Sequence, residues 1–312
     1  ANSGAPPRRA ASAVNSPESW QCLRIFSSPT GSDRPLRACV NRSWSPRHVS
    51  TGVSLPVSTH APQRTPRNSW APAVRGAKKI ASLMNLAARF VEEPTPANPT
   101  PAIKIGFPNG ESCFSTDADC ARLLSEALDH EVTLWPLQPA EDLDHYRRGA
   151  PDSEDFMEEL RDIFGRTESE PLPDFSIFPP EILEFESPPG TYLDAFPLLL
   201  ATNQSLEQLA NLCPDSQIDM RRFRPNLVVD TTQPGLWPEF EWVGRRMQLG
   251  SALLEITAAC PRCVMVTRGF ADLAQDRTVL RRIVAEANQN FGVYATVITN
   301  GRVSVGDVAT LI

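Results

Sequence analysis

The chain has 312 residues, 41% hydrophobic and 21% charged, enough to bury one or two ordinary cores, and it has no apolar run near the roughly 18 residues of a membrane span. Its formal charge of −7 is divided: residues 1–75 hold ten Arg, no Lys and only Glu18 and Asp33 as acids, a sum of +8, which leaves −15 for residues 76–312. An acidic body argues against a general nucleic-acid binder, whose affinity rests on basic surface and counterion release, so a small-molecule substrate is expected instead.

Residues 1–75 contain ten Pro and thirteen Ser with no sustained period of 2 or 3.6. Such a segment cannot bury enough apolar surface to offset its ordering entropy, and disorder is expected there. It has neither the apolar stripe of a transit peptide nor a signal-peptide core. Seven cysteines in a chain of this length do not make a disulfide scaffold, so a reducing, cytoplasmic setting is expected.

The character changes at Arg75. Ile80, Leu83, Met84, Leu86, Ala87, Phe90 and Val91 form an apolar stretch, followed by a Pro-rich break over 92–101. Residues 102–107 and 112–114 flank Pro108-Asn109-Gly110-Glu111, where Asn-Gly predicts a tight turn between two strands. Asp117 is predicted to cap a helix running to about Leu128, and Val132-Thr133-Leu134-Trp135 reads as a strand. Residues 141–175 carry twelve acids against four Arg, with one amphipathic candidate at Phe156, Met157, Leu160, Ile163 and Phe164. This stretch reads as an exposed, solvated connector ending near Pro189.

From Phe196 onward elements are dense: a strand at 196–201, a helix at 205–212, a strand at 226–230 and a short element at 240–243. Two eleven-residue stretches, 246–256 and 302–312, each read as strand, glycine turn, strand. Between them Asp276 can cap a helix that turns Val279, Leu280, Ile283, Val284 and Ala287 inward, and a hairpin is expected at Asn300-Gly301. Short strands with few helices predict a mixed α+β, mainly β fold with a small barrel.

The sharpest local feature is Cys260-Pro261-Arg262-Cys263, and four chemistries fit it: a zinc half-site, a dithiol redox pair, a metal-cofactor thiolate, or two buried cysteines. Structural zinc asks for two further Cys or His at matching spacing, and only Cys213 and the unpaired His48, His60, His130 and His145 are at hand. A redox dithiol sits at a helix start, whereas Val264-Met265-Val266-Thr267 is β-branched and predicts a strand. The cofactor thiolate and the buried pair remain.

Three blocks together carry a resemblance. Met220-Arg221-Arg222-Phe223-Arg224-Pro225-Asn226-Leu227-Val228-Val229, then Ile256-Thr257-Ala258-Ala259 leading into the Cys tetrad, then Phe291-Gly292-Val293-Tyr294 with Gly301-Arg302-Val303-Ser304-Val305-Gly306-Asp307-Val308 resemble the MOSC family, named for the molybdenum-cofactor sulfurase C-terminal domain. The resemblance covers residues 76–312, is specific from Asp194 onward, and points to two-part bacterial members akin to the mitochondrial amidoxime-reducing component. It implies a pyruvate-kinase-like β-barrel over 191–312 and, over 76–190, the remnant of an N-terminal β domain with the acidic connector. In this family the second Cys of the motif ligates molybdenum, which falls on Cys263, a soft donor for a soft metal–sulfur centre. The resemblance also places Arg224, Asn226 and Arg262 on the cofactor, together with Asp194 and the backbone near Phe196. It implies reduction of N-hydroxylated compounds by oxygen-atom transfer, with electrons from a separate flavin, ferredoxin or cytochrome b5 type reductase. The alternative is a cofactor-carrier or sulfur-transfer module, or an inactive relative. The Lys-Ser and Asp-Arg segments that relatives carry near the N-terminus are absent from residues 1–75, where a different reading frame or a mispredicted exon is expected.

Overall fold

The structure, a computed structural model, describes residues 77–78, 80–92, 98, 100–148, 155–231 and 235–312, together with the backbone of four short upstream strands. Those strands are β1 (Leu23–Ile25), β2 (Pro35–Ala38), β3 (Val57–Thr59) and β4 (Ala73–Arg75). The remainder of residues 1–75, and with it the disorder expected there, lies outside the described residues.

The first compact unit is built from β5 (Ala87–Phe90), β6 (Ile103–Gly106), β7 (Ser112–Phe114) and helix α1 (Cys120–Leu128). The antiparallel β5-β6-β7 sheet packs Ile105 and Cys113 against Cys120, Leu124 and Leu128 of the helix. The turn expected at Asn109-Gly110 forms between β6 and β7 as a three-residue loop, in which Phe107 N donates to Glu111 O and Gly110 takes the left-handed conformation at φ 90°. Asp117 corrects the sequence reading: its carboxylate accepts from Phe114 N, and α1 starts later, after Asp119. Strand β8 (Val132–Leu134) pairs with β3, which also pairs with β4.

The acidic connector folds into α2 (Leu143–Tyr146), α3 (Phe156–Phe164), a 3-10 turn at Phe175–Ile177 and α4 (Glu181–Glu184). Helix α3 follows its local code: Asp155 caps it by accepting from Met157 N and Glu158 N, and Gly165 ends it in the left-handed conformation.

The second unit begins with β9 (Leu198–Thr202), α5 (Asn203–Leu212), β10 (Leu227–Asp230) and β11 (Arg246–Leu249). It continues through β12 (Ala252–Pro261), α6 (Thr278–Glu286), β13 (Asn290–Thr299), β14 (Gly301–Val303) and β15 (Val308–Leu311). A closed barrel runs in the order β10-β2-β15-β11-β12-β13-β9, with β9 and β10 parallel and closing the ring. Strand β2 bridges β10 and β15, so a segment whose composition predicts no structure supplies one barrel stave.

Period-2 alternation decides which side chain goes where. Leu198, Leu200, Leu227 and Val229 point into the barrel with Met247, Leu254, Ile256 and Val293, while Ala201 and Val228 face outward to meet Leu209, Leu280 and Ile283 of the two helices. Each fully buried Leu or Ile contributes about 1.5–3 kcal/mol through lost water contact. The Asn300-Gly301 hairpin is not formed; β14 runs on to pair with β1, and Gly301 lies so close to the Ser251–Ala252 backbone that a Cβ would sit 2.2 Å from Ser251 C. Residues 240–242 fall within a 3-10 turn, Pro238–Trp242, which Val243 ends and whose buried Glu239 accepts from Thr202 Oγ1 and Ser205 Oγ.

Candidate functional site

The tetrad lies where β12 ends, and its two thiols part there. Cys260 is buried among Ala258, Tyr294, Phe178, Phe196 and Leu199, and Phe196 stacks on Tyr294 at 4.7 Å between ring centroids. Burial pushes the Cys260 thiol up, and its Sγ lies 3.9 Å from Pro261 O. This is a protonated core cysteine, and Phe196 belongs to its packing. Cys263 is partly exposed and free.

The strand predicted after Cys263 is instead a 3-10 turn over Val264–Thr267, with Cys263 in extended conformation at its start. The reason lies one residue earlier. The Arg262 side chain is 8% exposed, its Nε donates to Phe291 O at 2.9 Å and its Nη1 to Phe223 O at 3.2 Å. Its guanidinium lies 5.6 and 5.8 Å from the Phe223 and Phe291 ring centroids, and those rings stack on each other at 3.9 Å. Pulling the Arg262 side chain inward ends the ladder with β13 and turns the chain at Cys263. Arg262 is thus committed to backbone carbonyls, and its Nη2 has no hydrogen-bond partner among the described residues.

Arg224 and Asn226 arrive on the loop before β10. Arg224 holds a left-handed backbone at φ 53°, a costly state for a residue with a Cβ, and one that concentrates at functional sites. Its Nη1 reaches Met84 Sδ at 3.5 Å. Desolvation draws its pKa down, against the opposing charges of Asp194 and Cys263. Asn226 clamps the barrel edge: its Oδ1 accepts from Leu199 N at 2.8 Å and its backbone N donates to Leu199 O. The acceptor half of that side chain is used by the fold, which leaves the amide donor.

Asp194 is ion-paired to Lys78. Their side chains are 27% (Lys78) and 64% (Asp194) exposed. Lys78 holds Asp194 below the usual carboxylate range. Burial opposes the charge on Lys78, but Asp194, Cys263 and Glu186 outweigh it and hold the ammonium above its ordinary value. Arg268 reaches the Lys78 carbonyl through Nη2, and its buried Nε lacks a partner among the described residues.

The structure therefore brings Cys263, Arg224 and Asp194 into one electrostatic neighbourhood, with Asn226 and Arg262 supporting it from the backbone. Sequence reasoning missed Lys78, Met84, Arg166 and Arg268. No spacing pattern marks them, because Lys78 and Arg166 come from segments that read as a domain remnant and a solvated connector. Among the described residues, no three His, Cys, Asp or Glu side chains converge on a possible metal position.

A family model for the MOSC domain matches residues 189–310, the stretch that carries both thiols, Arg224, Asn226 and Asp194. Residues 189–310 form a MOSC domain. Curated relatives include mitochondrial amidoxime reducing component 2 of Homo sapiens, 31% identical over 132 residues, and of Macaca fascicularis, 30% identical over 132 residues. The same component of Bos taurus is 27% identical over 129 residues. In each case the match covers 37% of this chain and spans 37% of the relative's length. Solved structures that align include YiiM from Escherichia coli, 17% identical with a TM-score of 0.30, covering 40% of this chain and 58% of that one. The YUAD protein from Bacillus subtilis aligns at 16% identity and a TM-score of 0.31, covering 39% and 67%. Two cations beside the MOSC thiol, Lys78 and Arg166, lie outside the MOSC match. Among the described residues no helix is long and apolar enough to cross a membrane.

Proposed function

We propose that the MOSC domain of this chain holds a molybdenum cofactor through the Cys263 thiolate and serves reductive removal of oxygen from N-hydroxylated compounds. The observation that carries the reading is the pairing of one partly exposed thiol with an excess of cations. Lys78, Arg166 and Arg224 all feel the charge of Cys263, and Asp194 and Glu186 are the acids acting on Lys78. Such a neighbourhood suits an anionic ligand bearing phosphate and a sulfur-rich metal centre. The orphaned Arg268 Nε and the unused Asn226 amide would gain partners from that ligand.

When bound, the cofactor supplies the two-electron, oxygen-transferring metal. Cys263 would give the protein's thiolate to that metal, from its partly exposed place at the start of a turn. Arg224, in its strained conformation, would offer a planar fork to a phosphate. Lys78 keeps Asp194 ionised and oriented, so that the carboxylate can accept hydrogen bonds from ring nitrogens. Electrons would come from a separate reductase protein, and the substrates are small N-hydroxylated molecules. The names of the amidoxime reducing components support that substrate class.

A second reading rests on the accessibility of Cys263 beside four buried cysteines, Cys113, Cys120, Cys213 and Cys260: the thiol would carry sulfur as a persulfide. One preparation separates the two. Purified protein is supplied with a reduced dye as electron donor and an aryl amidoxime, and the product is measured together with persulfide on Cys263. Amidine formation that disappears in Cys263→Ser supports the enzyme. Absence of turnover with stoichiometric persulfide on Cys263 overturns it in favour of the carrier.

A further inference from the structure

The acidic connector contains one cation that is not on its surface. Arg166 is 7% exposed, and its guanidinium reaches residues far along the chain: Nε donates to Gln289 Oε1 at 2.9 Å and Nη2 to Arg262 O at 3.0 Å. Its Nη1 turns back to Phe164 O. Arg262 N in turn donates to Gln289 O at 2.8 Å. Arg166, Gln289 and Arg262 thus form a closed ring of hydrogen bonds, and the peptide that ring fixes is the one joining Arg262 to Cys263. Gln289 is itself held at φ 71°, with its backbone N bonded to Ile283 O.

We propose that Arg166 is a positioning residue for Cys263, supplied by the connector to fix the Arg262–Cys263 peptide at the mouth of the site. Two further observations fit this role. The Arg166 guanidinium makes no direct carboxylate contact among the described residues, and Glu170, the acid that acts on it, is ion-paired instead to Arg281. Desolvation and the charge of Arg281 draw Arg166 down to about 10, while Glu170 and Cys263 act in the opposite direction. The segment is also seated closely: a Cβ on Gly165 would lie 2.9 Å from Leu280 Cδ2 and 3.7 Å from Val264 Cβ, so the loop rests on α6 and on the turn that follows Cys263.

The connector has a second, separate tether, Arg281, which donates to Glu170 Oε2 and Gly165 O without touching Arg262. That separation provides the control. Amide hydrogen exchange of the full chain is compared for wild type, Arg166→Lys and Arg281→Gln, and cofactor retained after gel filtration is measured on the same samples. Lysine keeps the charge but cannot bond Gln289, Arg262 and Phe164 together. Arg166→Lys should speed exchange in peptides spanning 262–267 by about tenfold or more with helix α6 unchanged, and should weaken cofactor retention by a similar factor, as loss of a residue supporting a metal ligand does. Arg281→Gln should speed exchange in the connector and leave 262–267 and retention near wild type. Unchanged exchange at 262–267 in Arg166→Lys overturns the proposal, as does an equal loss of retention in both variants, which would make the connector a generic brace. The retention arm rests on the cofactor reading above; a wild type that holds no molybdenum defeats that reading while the exchange arm still decides the role of Arg166.

Discussion

Cys260 and Cys263 stand three residues apart and live in opposite surroundings. The first is sealed in an aromatic pocket with Tyr294 and Phe196, where burial keeps the thiol protonated. The second opens a 3-10 turn, is partly exposed, and acts on the charges of Lys78, Arg166 and Arg224. The lesson is that the x-x spacing of two cysteines says little about shared chemistry. Arg262, lying between them, drives its side chain into the core and so points its neighbours to different solvents.

That contrast can be broken from its centre outward. Replacing Arg262 by Ala should have the largest effect, because it strands the carbonyls of Phe291 and Phe223 and empties the space beside two stacked rings. A loss of about 3 kcal/mol or more is expected in denaturant unfolding. On the buried side, Cys260→Ser exchanges an inert thiol for a hydroxyl among aromatic rings, and should cost about 1–2 kcal/mol in the same measurement while leaving cofactor content untouched.

The Lys78–Asp194 pair should respond to pH more than to mutation. Lys78 depresses the Asp194 pKa, so the pair's stabilisation is present above the unfolded carboxylate value and is lost as pH falls through the folded one. The raised Lys78 keeps its share up to the alkaline range. Thermal melts of wild type and Asp194→Asn should therefore differ by a small, constant amount near neutrality and converge below about pH 4. The difference is small because Asp194 is 64% exposed and solvent screens the pair. A gap that widens on acidification would contradict the ion-pair account.

The fold was legible where one local rule dominated. The apolar runs that become β9 and β10, the amphipathic spacing of α3, and the glycine turn between β11 and β12 follow from local pattern alone. It was illegible where a long-range contact overrode local preference. Val264–Thr267 has β-branched residues yet turns, because Arg262 is anchored to carbonyls 29 and 39 positions away in the chain. Arg166 read as one charge of a solvated connector and Lys78 carried no reading of its own, since nothing in their own neighbourhoods signals that the fold brings them under the influence of Cys263. Pro35–Ala38 likewise finds its place between β10 and β15, where the barrel rather than its own composition makes it a strand.

The central claim is that the two cysteines divide, one for structure and one for the metal. Molybdenum and pterin content, measured per chain on wild type, Cys260→Ser and Cys263→Ser purified side by side, tests it most directly. Near-stoichiometric metal in wild type and Cys260→Ser, with loss of most of it in a Cys263→Ser chain that still folds and unfolds cooperatively, is the expected result. Equal molybdenum in wild type and Cys263→Ser would contradict the account.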